Sequence, residues 1–201
     1  KRKFFSILAL LVATVIGGAN VWAETGTETE SDRTGGNASN ADAVGTSYTV
    51  AGTYIAGSGS VKADPMPNKG VKFRTGQNSN TLEFTVTAEY TITKLELVGL
   101  ANYAKNDGVA DDAACISVTK VEVDGTEVTF AGGQFPDKAA TAAATLTVDN
   151  IAAKEKIVIT FDNSNAKGKQ INATYTINWS KAAAHTHSYA TEWSSDANGH
   201  W

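Results

Sequence analysis

A chain of 201 residues with 42% apolar composition suffices for one ordinary globular domain, and its single cysteine, Cys115, excludes an intrachain disulfide. Its 17 basic and 21 acidic residues give a formal charge of −4; Lys1, Arg2 and Lys3 belong to a leader without acidic residues, leaving 14 basic against 21 acidic, or −7. With no later run of Lys or Arg, the electrostatic footprint of a nucleic-acid or anionic-lipid binder is missing.

Lys1-Arg2-Lys3 precedes an apolar run from Phe4 to Ile16, and Val21-Trp22-Ala23 places small or apolar residues where signal peptidase reads. Residues 1–23 are therefore expected to be an export signal, helical before removal, rather than a membrane span, since Gly17, Gly18 and Asn20 interrupt the run. A secreted or cell-surface location follows, with no membrane attachment after signal removal. No cysteine follows the run to carry a lipid anchor. Residues 24–47 hold Glu, Thr, Gly, Asn, Ser and Asp with almost no large apolar side chain, which predicts a disordered linker.

From residue 48 onward, short apolar and β-branched runs are broken by Gly, Asn and Asp, the pattern of an all-β protein. Strands are predicted at 48–56, 60–63, 71–75, 81–88, 91–98, 114–123, 126–130, 144–148, 156–161 and 171–179. Leu82, Phe84 and Val86 alternate with Glu83, Thr85 and Thr87, as a half-buried strand requires. The same period of two recurs in Ile157, Ile159 and Phe161, and in Ile171, Ala173, Tyr175, Ile177 and Trp179. Between Ile92 and Leu95 the apolar phase slips by one, which places a bulge or a change of sheet at Thr93-Lys94. Asp124-Gly125 between Val121/Val123 and Val128/Phe130 predicts a tight hairpin. The Ala-rich stretch 139–144 follows Pro136 and is too short for a stable helix, so it is read as a loop. The fold class is an all-β antiparallel sandwich, jelly-roll-like, spanning 48–180.

Chemistry is sparse in that stretch. All three histidines, His185, His187 and His200, lie past the last predicted strand, so the sandwich lacks the imidazole that Ser/His and Cys/His nucleophile sites need. Cys115 reads as a small buried apolar residue. Glu83, Glu96 and Glu122 occupy solvent-facing strand positions rather than the paired arrangement of a glycosidase. No enzymatic activity is expected.

The most site-like segment is the long connection 101–112. Asn102, Tyr103, Asn106 and Asp107 offer amides, a carboxylate and a stacking face for a sugar; Asp107, Asp111 and Asp112 offer hard oxygen ligands for Ca²⁺, without EF-hand spacing. A solvated loop is the competing reading. No other cofactor is expected. Residues 181–201 form a separate tail whose histidines lack a zinc-binding spacing.

Residues 82–99, with Tyr90-Thr91-Ile92-Thr93-Lys94-Leu95, and 118–128, with Lys120-Val121-Glu122-Val123-Asp124-Gly125-Thr126, resemble the jelly-roll, galactose-binding-like accessory modules of secreted bacterial polysaccharide-active and surface proteins. The resemblance covers about 48–180 on generic β signals. It implies attachment to a polysaccharide or surface glycan, with no sugar-contacting residue mapped. The tail pattern His185-x-His187-x-Tyr189 through Trp193, Asp196 and His200-Trp201 resembles a His- and Trp-bearing repeat of bacterial surface proteins, and implies a longer modular parent. The functional expectation is a non-catalytic carbohydrate-binding module; the alternatives are a structural spacer or adhesin domain, or the N-terminal accessory domain of a polysaccharide-degrading enzyme. Oligomeric state is not legible.

Overall fold

The computed structural model describes residues 23–35, 42–51, 55–56, 70–75, 80–182, 195–196 and 199–200. The signal helix predicted over 1–23 and the strand at 60–63 lie outside them, Ala23 excepted. The chain divides into two compact units, Ala23–Ala182 and a second composed of Lys1–Trp22 with Ala183–Trp201.

The strands of the larger unit are β1 (Glu24–Thr29), β2 (Thr34–Gly35), β3 (Ala43–Val44), β4 (Tyr48–Ala51), β5 (Ile55–Ala56), β6 (Val71–Arg74), β7 (Thr81–Val86), β8 (Tyr90–Ala101), β9 (Ile116–Val123), β10 (Thr126–Glu127), β11 (Ala131–Gly132), β12 (Gln134–Phe135), β13 (Ala144–Val148), β14 (Lys156–Asp162) and β15 (Gln170–Lys181). They form two antiparallel sheets. One runs β11-β13-β8-β15-β6-β5, with β1 also on β15; the other runs β10-β9-β14-β7-β4-β3-β2, with β12 also on β9. Among the described residues, the nine strands of four or more residues, β1, β4, β6, β7, β8, β9, β13, β14 and β15, alternate between the sheets in chain order. This gives the all-β sandwich expected from the apolar alternation. The tail contributes a hairpin, β16 (Ser195–Asp196) with β17 (Gly199–His200); His185, His187, Tyr189 and Trp193 fall outside the described residues.

Period-two patterning decides which side chains enter the core. Leu82, Phe84, Ile157, Ile159, Phe161, Ile171, Tyr175 and Ile177 are all buried, and their alternating neighbours face outward more. On β8 the register with β15 runs from Ile92↔Trp179 to Lys94↔Asn178, skipping Thr93. The extra residue is a bulge, and it allows both Ile92 and Leu95 to point inward despite the slipped phase.

The predicted hairpin forms at Asp124 and Gly125, whose φ values of 49° and 81° suit a two-residue turn. Its second strand is shorter than the expected 126–130, ending at Glu127, and Gly132 and Gly133 (φ 73° and 78°) lie at the next turn of the chain. β11 pairs with β13 in one sheet, and past the two glycines β12 returns to β9 in the other.

The expected disordered linker over 24–47 is corrected wherever the structure describes it. β1 pairs with β15 along its whole length, from Glu24↔Lys181 to Thr29↔Thr176. Its polar composition is stabilised by hydrogen bonding rather than apolar burial. The buried Glu28 carboxylate accepts the N–H of Thr46 at 2.6 Å, the N–H of Ser47 at 2.9 Å and the Ser47 hydroxyl. The compact unit therefore begins at Ala23, not at residue 48.

Candidate functional site

Because β15 spans twelve residues, its two ends lie about 36 Å apart at the usual strand rise. At its Lys181 end sits Glu24, so the polypeptide enters and leaves the sandwich side by side. At its Gln170 end, three connections meet: 102–115 between β8 and β9, 136–143 between β12 and β13, and 163–169 between β14 and β15.

These connections are laced together. Lys105 forms an isolated bridge with Ala166, the Asn106 N–H donates to the Asn165 carbonyl at 2.7 Å, and the Lys167 N–H donates to Ala104 at 2.9 Å. The Asn106 amide donates to the Ser164 carbonyl at 2.7 Å, and the Asn165 amide to Ala114 at 3.1 Å. Asp137, on the opposite connection, accepts the backbone N–H of Lys105 and of Ala139, each at 2.8 Å. A loop satisfied in this way holds its shape without a ligand.

Between them opens a cleft of about 800 Å³, lined by 104–109, 111–114, Gln134, Pro136, Asp137, Ala139, Ala140 and Lys167. The Lys105 ammonium donates to the Ala110 and Asp111 carbonyls at 2.9 and 2.6 Å. The Lys167 ammonium meets Asp107 at 2.8 Å. That hydrogen bond holds the Asp107 carboxyl below the usual carboxylate range, and the Ala139 N–H does the same for Asp137. Both are acceptors at neutral pH.

Of the residues singled out in the sequence, Asn106, Asp107, Asp111 and Asp112 line the cleft. Asn102 does not: its side chain donates to the Gln170 side-chain oxygen at 3.0 Å and its backbone N–H to the Gln170 carbonyl, which ties β8 to β15. Tyr103 is 43% exposed but lies outside the lining, its ring so close to Gly168 that a Cβ there would sit 2.1 Å from it. The expected stacking face is therefore beside the cleft, and the lining contains no aromatic ring.

The three carboxylates expected to offer ligands to Ca²⁺, those of Asp107, Asp111 and Asp112, do not gather into one group. Among the described residues no three His, Cys, Asp or Glu side chains converge to hold a metal. Asp107 is engaged by Lys167, and Asp111 gives Lys105 its carbonyl oxygen. Gln134, Asp137 and Lys167 were missed because they reach the cleft from distant connections; no local motif marks them.

Elsewhere, Glu83 pairs with Lys156 at 3.5 Å, Glu96 with Lys94 at 3.1 Å and Glu122 with Lys120 at 3.0 Å, all on half-exposed strand faces. Cys115 is buried, and burial pushes its thiol up to about 11, away from the reactive thiolate. Asn172, in an Asn-Ala-Thr triplet, is 2% exposed within β15, where a glycan has no room.

Among the described residues no helix is long and apolar enough to cross a membrane. No family model matches the chain, and no curated protein or solved structure matches it.

Proposed function

We propose that the sandwich is a non-catalytic, surface-displayed binding module whose cleft takes a polar, hydroxyl-rich ligand, carbohydrate being the class it suits. The observation that carries this reading is the position of a preformed cleft at the end of the sandwich opposite Glu24 and Lys181, where the polypeptide enters and leaves it. A module held at Glu24 and Lys181 presents that cleft away from its attachment. The lining offers carboxylates, the Asn106 and Gln134 amides and ammonium groups, the chemistry that exchanges hydrogen bonds with sugar hydroxyls. Asp107 and Asp137 are moved toward the ionised form, whereas a glycosidase acid needs a raised pKa.

A spacer is the competing role. Side-by-side entry and exit at Glu24 and Lys181 suit it poorly, since a rod built from such sandwiches would double back at each one. Accessory service beside a polysaccharide-degrading domain fits the same geometry.

The test is binding of residues 24–201 to a panel of plant, microbial and host polysaccharides, with Asp112→Ala and Lys167→Ala as controls. Binding weakened at least tenfold in both variants, without a change in melting temperature, is expected. Absence of binding to every polysaccharide would sink the carbohydrate reading.

A further inference from the structure

We propose that the Ala23–Glu24 peptide bond is the processing site of this chain, and that the amino terminus created there is the first residue of a locked strand, not a loose end. The inference does not depend on what the cleft binds. Two independent observations meet at this bond. In the sequence, the basic start, the apolar run and Val21-Trp22-Ala23 place the exit of an export signal after Ala23. In the structure, the compact unit begins at Ala23 and ladder pairing begins at the next residue, Glu24, opposite Lys181.

Ala23, Glu24 and Thr25 are exposed, and every residue of the β1 ladder lies after the bond. A cut a few residues later removes a great deal. Gly26 lies flush against the Trp179 indole, with no space for even a Cβ, which would sit 2.3 Å from the ring. Two residues on, Glu28 holds the Thr46 and Ser47 N–H groups. Loss of β1 would uncover Trp179 and leave the β15 edge from Thr176 to Lys181 without its partner. The new terminus is also placed at the end of the sandwich that carries Lys181, away from the cleft.

The experiment uses residues 1–201 expressed behind an initiator methionine in a bacterium with a general secretory pathway. Exported protein is characterised by intact mass, N-terminal sequencing and amide hydrogen exchange. The expected product begins at Glu24, with ladder amides between Thr25 and Thr29 exchanging at least a hundredfold slower than in a free peptide. Ala23→Arg is expected to leave the leader attached to a folded, membrane-retained sandwich. Gly26→Val is expected to keep the cut at the same bond while losing the protection of 25–29, which separates cleavage from strand docking. An exported product beginning at Thr29 or later, one that retains residues 1–23, or fast exchange across 25–29 in the wild-type product overturns the proposal.

Discussion

The Tyr48 hydroxyl donates to the Tyr175 hydroxyl at 2.7 Å, joining β4 of one sheet to β15 of the other inside the apolar core. The two rings meet edge to face at 5.5 Å, and Phe84 and Phe73 pack against Tyr175 at 5.8 and 6.1 Å. Tyr48→Phe leaves a buried hydroxyl without its partner and is expected to cost about 1–3 kcal/mol, whereas the double Phe variant is expected to stay within about 1 kcal/mol of wild type. Urea denaturation of the two single variants and the double variant checks the non-additivity.

The same pair makes alkaline pH destabilising. Burial, as the largest cause, raises both phenols above their ordinary value of 10.0, Tyr175 to about 12. Folded protein thus keeps protons that the unfolded chain releases, so the contribution is intact below pH 10 and falls as pH rises beyond it. Melting temperature followed from pH 8 to pH 11.5 is expected to drop more steeply in wild type than in the double Phe variant.

Asp124 acts at the other end of the pH scale. Its carboxylate accepts the N–H groups of Lys154, Glu155 and Lys156, each at 2.9 Å, fastening the β9–β10 turn to the start of β14. Partial burial raises its pKa, but those three bonds outweigh it and leave the group below the ordinary 3.8. The stabilisation is present above the unfolded value and is lost as pH falls from there through the lower folded value. Asp124→Asn tolerates the positive φ and is expected to cost about 1–2 kcal/mol at pH 7, with a smaller loss on acidification to pH 3 than wild type shows.

Glu28 tests whether the N-terminal segment belongs to the fold. Glu28→Ala strands the Thr46 and Ser47 N–H groups and is expected to cost about 3 kcal/mol, while Glu28→Gln, which keeps an acceptor, costs less. A true linker would tolerate both. Equilibrium unfolding of these variants beside a chain starting at Arg33 distinguishes the two cases.

How far the sequence could be read depended on whether a feature was local. The inward positions of β7, β14 and β15 follow from alternation, and the Thr93 bulge from one slipped phase in the apolar pattern. The Asp124-Gly125 turn follows from the positive φ those residues tolerate. β1 was not legible, because its strand state depends on an edge 151 positions away at Thr27↔Asn178 rather than on its own side chains. β11 and β12 were too short to carry a period.

Half of the cleft was legible for the same reason. The 101–112 segment stood out by its length and polarity, and Asn106, Asp107, Asp111 and Asp112 do line the cleft. By itself the sequence determined the all-β class, the core-facing side chains, the Asp124-Gly125 hairpin and the want of a histidine in the sandwich, since these depend on side-chain period and residue chemistry. Only the tertiary structure decided that β1 completes a sheet, that Tyr103 lies against Gly168 outside the cleft lining, and that Asp137 and Lys167 join the cleft. Such contacts arise when alternating crossovers bring distant connections to one end of the sandwich, and no local pattern encodes that meeting.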